Sequence, residues 1–245
     1  MNLKSFVFNK LLPKIYKFYL SINTKQTPLY IKETDNALFL APHADDESLG
    51  AGGTLAKYPS NFDVICLTNG IKGLKSLPPE EAKKVREEEF LNAMRIAKVR
   101  SAKVLNIDDR DVIAGYDELE KIDIQQYDYI FVPNLIDTHK DHKSVSIIVK
   151  KLLDNKPHKE SIQIVFYEVW SSLALPNRFI DISDTAEIKE KMLEAHKSQM
   201  ALRNYLPASM GLSKYRALTP NVKNAEAFLA LDEKTFKQLV KEIYI

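Results

Sequence analysis

Apolar runs and helical stripes alternate along most of the chain. Short apolar runs rich in β-branched and aromatic residues predict strands at residues 38–41, 63–67, 103–107, 129–132 and 162–167. Stretches with helical periodicity between and after them predict helices at 48–57, 79–98, 143–154 and 185–200. The longest helix opens behind Pro78-Pro79, and proline is favoured in a first helical turn. Its Glu80 and Glu81 suit the positive end of the helix dipole, while Val85, Phe90, Ala93, Met94 and Ala97 keep a roughly helical spacing. Strands this apolar are buried on both faces, and strands alternating with helices favour parallel pairing. The expected fold is therefore α/β: a Rossmann-like, mostly parallel sheet with helices on both faces and an irregular C-terminal part.

That irregular part begins near Ser171. Residues 202–221 contain Pro207, Gly211 and Pro220 and read as a long loop with short elements, the expected outer wall of a pocket. Residues 225–230 read as a short helix or a strand, and 233–244 as a closing helix. No repeat, low-complexity tract or clear linker divides the chain. The reading is a single domain over residues 31–245, preceded by a basic amphipathic segment at 1–30.

In that leading segment, residues 1–20 mix Lys4, Lys10, Lys14 and Lys17 with Phe6, Phe8, Leu11, Leu12, Ile15, Tyr16, Phe18 and Tyr19. It lacks the compact apolar core and small-residue cleavage site of a signal peptide. Two readings stay open: a helix packed on the domain with its lysines in water, or peripheral contact with an anionic membrane surface. No apolar run approaches the roughly 18 residues of a spanning helix.

Composition narrows the function classes. The chain has 245 residues, 28% of them charged, and a formal net charge of +2. That charge is too small to argue for a nucleic-acid surface. The lone Cys66 excludes an internal disulfide and fits a reducing, cytoplasmic setting, with membrane association as the variant if residues 1–20 touch lipid. Oligomeric state is not readable.

The informative chemistry lies at the ends of two expected strands. After the first comes Pro42-His43-Ala44-Asp45-Asp46-Glu47, followed by the small-residue stretch Gly50-Ala51-Gly52-Gly53. Carboxylates crowded beside an imidazole call for a positive charge, and a divalent metal is the simplest one. Alone, the acids could equally be a helix N-terminus favoured by capping and the dipole. After the fourth strand comes Asp137-Thr138-His139-Lys140-Asp141-His142. If both strands are parallel members of one sheet, both turns share one edge, and His43 and His142 should lie within about 8 Å, as shared metal ligation demands. Taken singly, His139 and His142 read as loop histidines, His196 as a structural histidine, His158 as part of a surface turn and Arg86 as a solvated helix charge.

Taken together these motifs resemble the PIG-L/LmbE-like metal-dependent N-deacetylases, whose two motifs are A-H-x-D-D-E and H-x-x-H. Thr68-Asn69-Gly70, Arg86 with Glu89, Ala195-His196-Lys197-Ser198-Gln199 and Ala225-Glu226-Ala227-Phe228 match further elements in order, over about residues 36–231. The resemblance implies that His43, Asp46 and His142 bind a metal, normally Zn2+ although another divalent transition metal would serve. It implies Asp45 as general base toward a water activated by the metal, and His139 as the group that polarises or protonates the amide. Glu47 would brace the turn, and Arg86, Asp109 and His196 would contact substrate or support the ligands. The implied substrate is an N-acetylated amino sugar, free or carried on a glycoside, nucleotide, lipid or glycan precursor. Hydrolysis of another amide or ester, and a non-catalytic metal- or sugar-binding role, are the alternatives. Magnesium-assisted phosphoryl transfer is disfavoured because two histidine ligands suit zinc better. Where some relatives carry a tyrosine, this chain has Asp137; Tyr167, Tyr205 and Tyr215 are the candidate replacements. Lys140 replaces a common proline.

Overall fold

The computed structural model describes residues 25–244, so the basic segment at 1–20 lies outside the described residues. The strands are β1 Thr27–Pro28, β2 Ala37–Ala41, β3 Phe62–Thr68, β4 Ser101–Ile107, β5 Tyr129–Pro133, β6 Gln163–Tyr167, β7 Arg178–Asp181 and β8 Ala225–Asp232. They form one eight-stranded sheet in the order β1-β7-β8-β6-β5-β2-β3-β4. Every pairing is parallel except those of β8, which runs antiparallel to β6 and β7. The helices are α1 Asp46–Lys57, α2 Pro79–Ala97, α3 Tyr116–Glu120, α4 Lys140–Asn155, α5 Ala186–Ala195, α6 Lys197–Leu202, α7 Leu206–Arg216 and α8 Glu233–Tyr244.

Alternation along β2 sorts the core. Leu38 and Leu40 enter one apolar cluster with Ile130, Val132, Ile164 and residues of α4 and α8. Phe39 and Ala41 enter the opposite cluster with Phe131, Val165, Tyr167 and residues of α1, α2 and α5. Successive side chains of a strand point to opposite faces, so a strand buried on both reads as continuous apolar sequence. From β2 the chain moves outward through β3 and β4, then returns to the other side of β2 for β5 and β6. The boundary between β2 and β5 is thus the point where strand order reverses, and clefts in such sheets open there, beyond the carboxyl ends.

The C-terminal part is more regular than its sequence suggests. Residues 202–221 are not a long loop: they hold α7, whose Pro207 stands in its first turn. Gly211 is tolerated within that helix because nothing crowds it, although glycine weakens a helix by about 1 kcal/mol. Residues 225–230 resolve as strand β8. The helix expected at 185–200 is broken at His196, whose ψ of 55° is not helical. The break lets Glu89 of α2 accept from the Ser198 amide at 2.6 Å and the Ser198 hydroxyl at 2.7 Å, capping α6. Helix α4 starts at Lys140, earlier than position 143, so His142 sits in a first helical turn rather than a loop.

Strand β8 also braces α1 from beneath. Glu226 accepts from the amides of Gly53 and Thr54 at 3.0 and 2.8 Å, and from the Thr54 hydroxyl at 2.6 Å. Lys189 of α5 closes the arrangement at 2.6 Å, with both side chains almost fully buried. Removing one partner strands the other charge in the interior. Glu226→Ala should therefore lower stability by about 3–5 kcal/mol in urea denaturation; a change under about 1 kcal/mol would show that the pair is not a bracing element.

Candidate metal centre and cleft

Both turns at the β2/β5 boundary converge. The rings of His43 and His142 lie 5.4 Å apart between centroids, inside the distance set by shared ligation. His139 stands beside them, 4.6 Å from His43 and 5.2 Å from His142. The three histidines can each offer one ring nitrogen within 4.8 Å of the others. Asp46 lies between the half-buried His43 ring and the buried His142 ring. Its Oδ2 is 3.3 Å from His43 Nδ1 and 3.2 Å from His142 Nε2. Zinc bonds of about 2.0–2.1 Å in a tetrahedron separate neighbouring donors by about 3.3–3.4 Å, close to the two separations from Asp46.

The outer nitrogens of both rings face carboxylates. His43 Nε2 contacts Asp141 Oδ2 at 3.0 Å, and His142 Nδ1 lies 3.2 Å from Asp137 Oδ2. A carboxylate behind a histidine fixes the ring and its tautomer for a metal on the other side. Both ring nitrogens of His142, and Oδ1 of Asp46, are buried without a hydrogen bond. Orphaned buried polar atoms are rare, and a cation at this point would satisfy the inward-facing ones. The electrostatics agree. Burial disfavours the charged form of His43, yet bonding to Asp141 and Asp46 outweighs it and pushes its pKa up to about 10. Burial likewise opposes charge on His142, but Asp46 and Asp137 push it up to about 9. Burial alone would raise Asp46, but His142 and His43 hold it well below the usual carboxylate range. The carboxylates around the two rings favour positive charge between them, and the donor set of two imidazoles and one carboxylate fits a divalent transition metal.

Asp45 is held differently. Its φ of 152° is a costly backbone position for a residue with a Cβ, of the kind that clusters at functional sites. Its amide donates to Glu47 Oε2 at 3.1 Å. Its carboxylate is 3.3 Å from Arg86 Nη2, and the same guanidinium group donates to the carbonyl of Ala44. Burial raises the pKa of Asp45 despite the opposing charge of Arg86. Arg86 itself is not solvated: it lies on the buried stripe of α2 and also bonds Glu89 at 3.1 Å. Gly70 permits this, because a Cβ there would lie 2.8 Å from Arg86 Cγ, and its φ of +70° suits glycine.

His139 is the N-cap of α4: its Nδ1 accepts from the Asp141 amide at 3.3 Å. Nε2 therefore carries the ring proton. Burial, followed by the charges of His43 and His142, holds its pKa below the ordinary imidazole value.

The remaining expected residues divide into lining and support. Asp109 lines the cleft and accepts from the amides of Gly70 and Lys72 at 3.2 and 2.6 Å, while Asp108 bonds Asn69. Glu47 and His196 are buried behind the turn, with Glu47 Oε1 2.9 Å from His196 Nε2 and 2.7 Å from Ser48 Oγ. They brace it and do not line the cleft. Tyr167 bonds the Leu40 carbonyl and Tyr215 lies outside, so of the three candidate tyrosines only Tyr205 lines the cleft. His158 pairs with Glu233 at the surface. Sequence reasoning passed over Trp170, Lys72 and Arg110, which line this cavity of about 270 Å³ together with Gln199 of the late motif. Trp170 in particular carried a signal, being the sole tryptophan and standing just beyond an apolar strand.

Comparison with known proteins places this architecture. A PIG-L family domain is matched over residues 38–153, by the family model described as GlcNAc-PI de-N-acetylase. A Bacillus subtilis protein, probable N-acetyl-alpha-D-glucosaminyl L-malate deacetylase 2, is 24% identical over 184 residues, covering 67% of this chain and 83% of its own length. N,N'-diacetylchitobiose deacetylase from Pyrococcus horikoshii superposes with a TM-score of 0.73 at 22% identity, over 96% of each chain. The 4-carboxy-2-hydroxymuconate hydratase GalB of Pseudomonas putida superposes at 0.66 with 17% identity, over 80% of this chain and 96% of its own. One fold thus hosts both a deacetylase and a hydratase, and function must be argued from the site.

Gly70→Ala tests how tightly the Arg86 wall is built. A side chain at this positive φ, pressed against Arg86, should cost about 1–3 kcal/mol of stability. Thermal unfolding measures it, and an unchanged transition would refute the packing described.

Proposed function

We propose that the chain is a metal-dependent hydrolase that removes the N-acetyl group from an amino-sugar-containing substrate. The observation that carries this reading is the placement of Asp45, an unliganded buried carboxylate of raised pKa, beside a three-donor metal site in an open cleft. His43 Nδ1, Asp46 Oδ2 and His142 Nε2 would hold the metal, with zinc the best fit to two imidazoles and a carboxylate. When bound, such an ion lowers the pKa of water toward about 7 and polarises an amide carbonyl.

The chain's own residues supply the rest. Asp45, lining the cleft and pinned by Arg86, is the base that takes a proton from the attacking water and delivers it to the leaving nitrogen. The raised pKa of Asp45 brings it nearer the operating range of a base. His139 donates its Nε2–H to the carbonyl oxygen as negative charge develops there, a fixed donor that needs no reorganisation. Its cap bond to the Asp141 amide keeps the ring oriented. Asp109, Arg86 and Gln199 present polar groups to the sugar hydroxyls. The family match and the names of the relatives support an acetylated glucosamine as the reacting unit.

Zinc-loaded protein should release acetate from an N-acetylglucosamine conjugate, lose that activity on chelation and regain it when zinc is restored. Failure across a broad panel of N-acetyl sugars would overturn the reading. The variants separate the roles. His142→Ala should abolish stoichiometric metal, measured by elemental analysis. Asp45→Ala should retain it while acetate release falls by at least about 100-fold.

A further inference from the structure

The stretch between Glu194 and Glu226 carries Lys197, Arg203, Lys214, Arg216 and Lys223 and not one acid, in a chain of 33 acids and 35 bases. It holds α6, α7 and the turn that follows, and it leaves large apolar side chains in water. Leu202 is 68% exposed, Tyr215 63% and Leu218 75%. Trp170, on the loop after β6 and 44% exposed, stands with Leu202, Arg203 and Tyr205 in one shallow groove. Apolar side chains bared among cations, with no acid in the segment, mark a binding surface. We propose that α7 and the rim beside it, from Trp170 and Leu202 to Tyr215 and Leu218, dock on an anionic lipid bilayer. This surface is independent of the deacetylase reading, and it is separate from residues 1–20, which lie outside the described residues.

Helix α7 is fastened on one side and bare on the other. Its buried residues are Met210, Ser213 and Arg216. Arg216 Nε donates to Glu168 at 3.1 Å and Nη2 to the Leu173 carbonyl at 2.7 Å, so the end of α7 grips the loop that bears Trp170. At its start, the Tyr205 ring meets the Trp170 ring edge to face with centroids 5.4 Å apart. Pro207, Ala208, Gly211, Lys214 and Tyr215 recur at helical spacing on the other side, all exposed. Nothing lies within 4 Å of the place where a Cβ on Gly211 would stand. The chemistry of this face selects lipid. Arg203, Lys214 and Lys223 are exposed and make no ion pair among the described residues. Anionic headgroups attract such cations, whose methylene stems lie against apolar neighbours while the charges stay in the headgroup layer. Tryptophan and tyrosine favour that same depth, and Leu202 and Leu218 supply alkyl surface for the acyl boundary to bury. A second copy of the chain fits worse. A twofold contact sets the same patch on both subunits, and here that opposes cation to cation with no acid in the segment to relieve them.

Trp170 is the only tryptophan in the chain, so its emission reports on this face and not on the basic segment at 1–20. Full-length protein is titrated with phosphatidylcholine vesicles that contain or lack phosphatidylglycerol, and co-sedimentation is measured on the same samples. Vesicles with phosphatidylglycerol should carry the protein down and shift the Trp170 emission to the blue. Vesicles without it should do neither, and added salt should reverse both effects. Lys214→Glu should weaken binding to the anionic vesicles by about tenfold. The double variant Tyr215→Ser, Leu218→Ser should also weaken it by about tenfold. Thermal unfolding of both variants should match the unaltered chain, because the replaced side chains are exposed. Co-sedimentation without an emission shift, or either folded variant binding as tightly as the unaltered chain, would move the contact elsewhere and overturn the docking face. Equal binding to both kinds of vesicle would overturn it as an anionic-lipid surface. No co-sedimentation would overturn it outright, and a dimer in solution abolished by the double variant would assign the face to a second copy instead.

Discussion

Three consecutive acids, Asp45, Asp46 and Glu47, are buried at the end of the central strand, and the rest of the structure is arranged around that constraint. Each carboxylate taken out of water costs several kcal/mol, and together they repel one another. Against a net stability of about 5–15 kcal/mol for a whole domain, such a turn survives only if every acid finds its own partner. Each partner comes from a different element. Arg86 of α2 faces Asp45, His142 of α4 faces Asp46, and His196 at the α5/α6 junction faces Glu47. The turn therefore collects helices from distant parts of the chain. The break at His196 and the buried guanidinium on α2 are local irregularities that this collection requires.

Much of the scaffold was legible because its strands are buried on both faces. Residues such as Leu38, Phe39 and Leu40 read as an uninterrupted apolar run wherever they point, and that signal survives without tertiary knowledge. Strand β7 gave no such signal: it is four residues long and begins and ends on charge, at Arg178 and Asp181. Strand β1 is two residues long and contains a proline. Helix α7 was hidden by Pro207 and Gly211, since proline opens a helix as readily as it ends one. That the turns after β2 and β5 converge was legible from the strand pattern, since parallel neighbours share an edge; how the side chains in them are oriented was not. Whether Arg86 is solvated or buried depends on which face of α2 meets the sheet. Which nitrogen of His139 is left free depends on the first turn of α4, which begins at the next residue.

That division of labour follows from where each acid points. Asp46 and Asp45 are neighbours in sequence, yet one faces two imidazoles and the other a guanidinium. The unusual φ of Asp45 is what turns adjacent side chains toward different partners. Strain at this residue is tolerable because its surroundings fix it several times over: the Glu47 carboxylate holds its amide, Arg86 holds its side chain, and the Thr68 amide and hydroxyl hold the Pro42 carbonyl at 3.1 and 2.9 Å. The outcome is one carboxylate turned to a guanidinium and its neighbour turned to a pair of imidazoles.

Asp137 extends the same logic outward from the metal centre. One carboxylate touches three things: the amide of His139, the ring of His142 and the amide of Trp170. It thereby links the start of α4, a metal-facing imidazole and the aromatic rim in a single rigid group. A tyrosine at this position, as some relatives have, would offer one hydroxyl and could not bridge all three. With Asp137, the loop bearing Trp170 is tied to His142. The rim loop and the His142 ring are therefore coupled through one side chain, so the rim cannot move without disturbing His142.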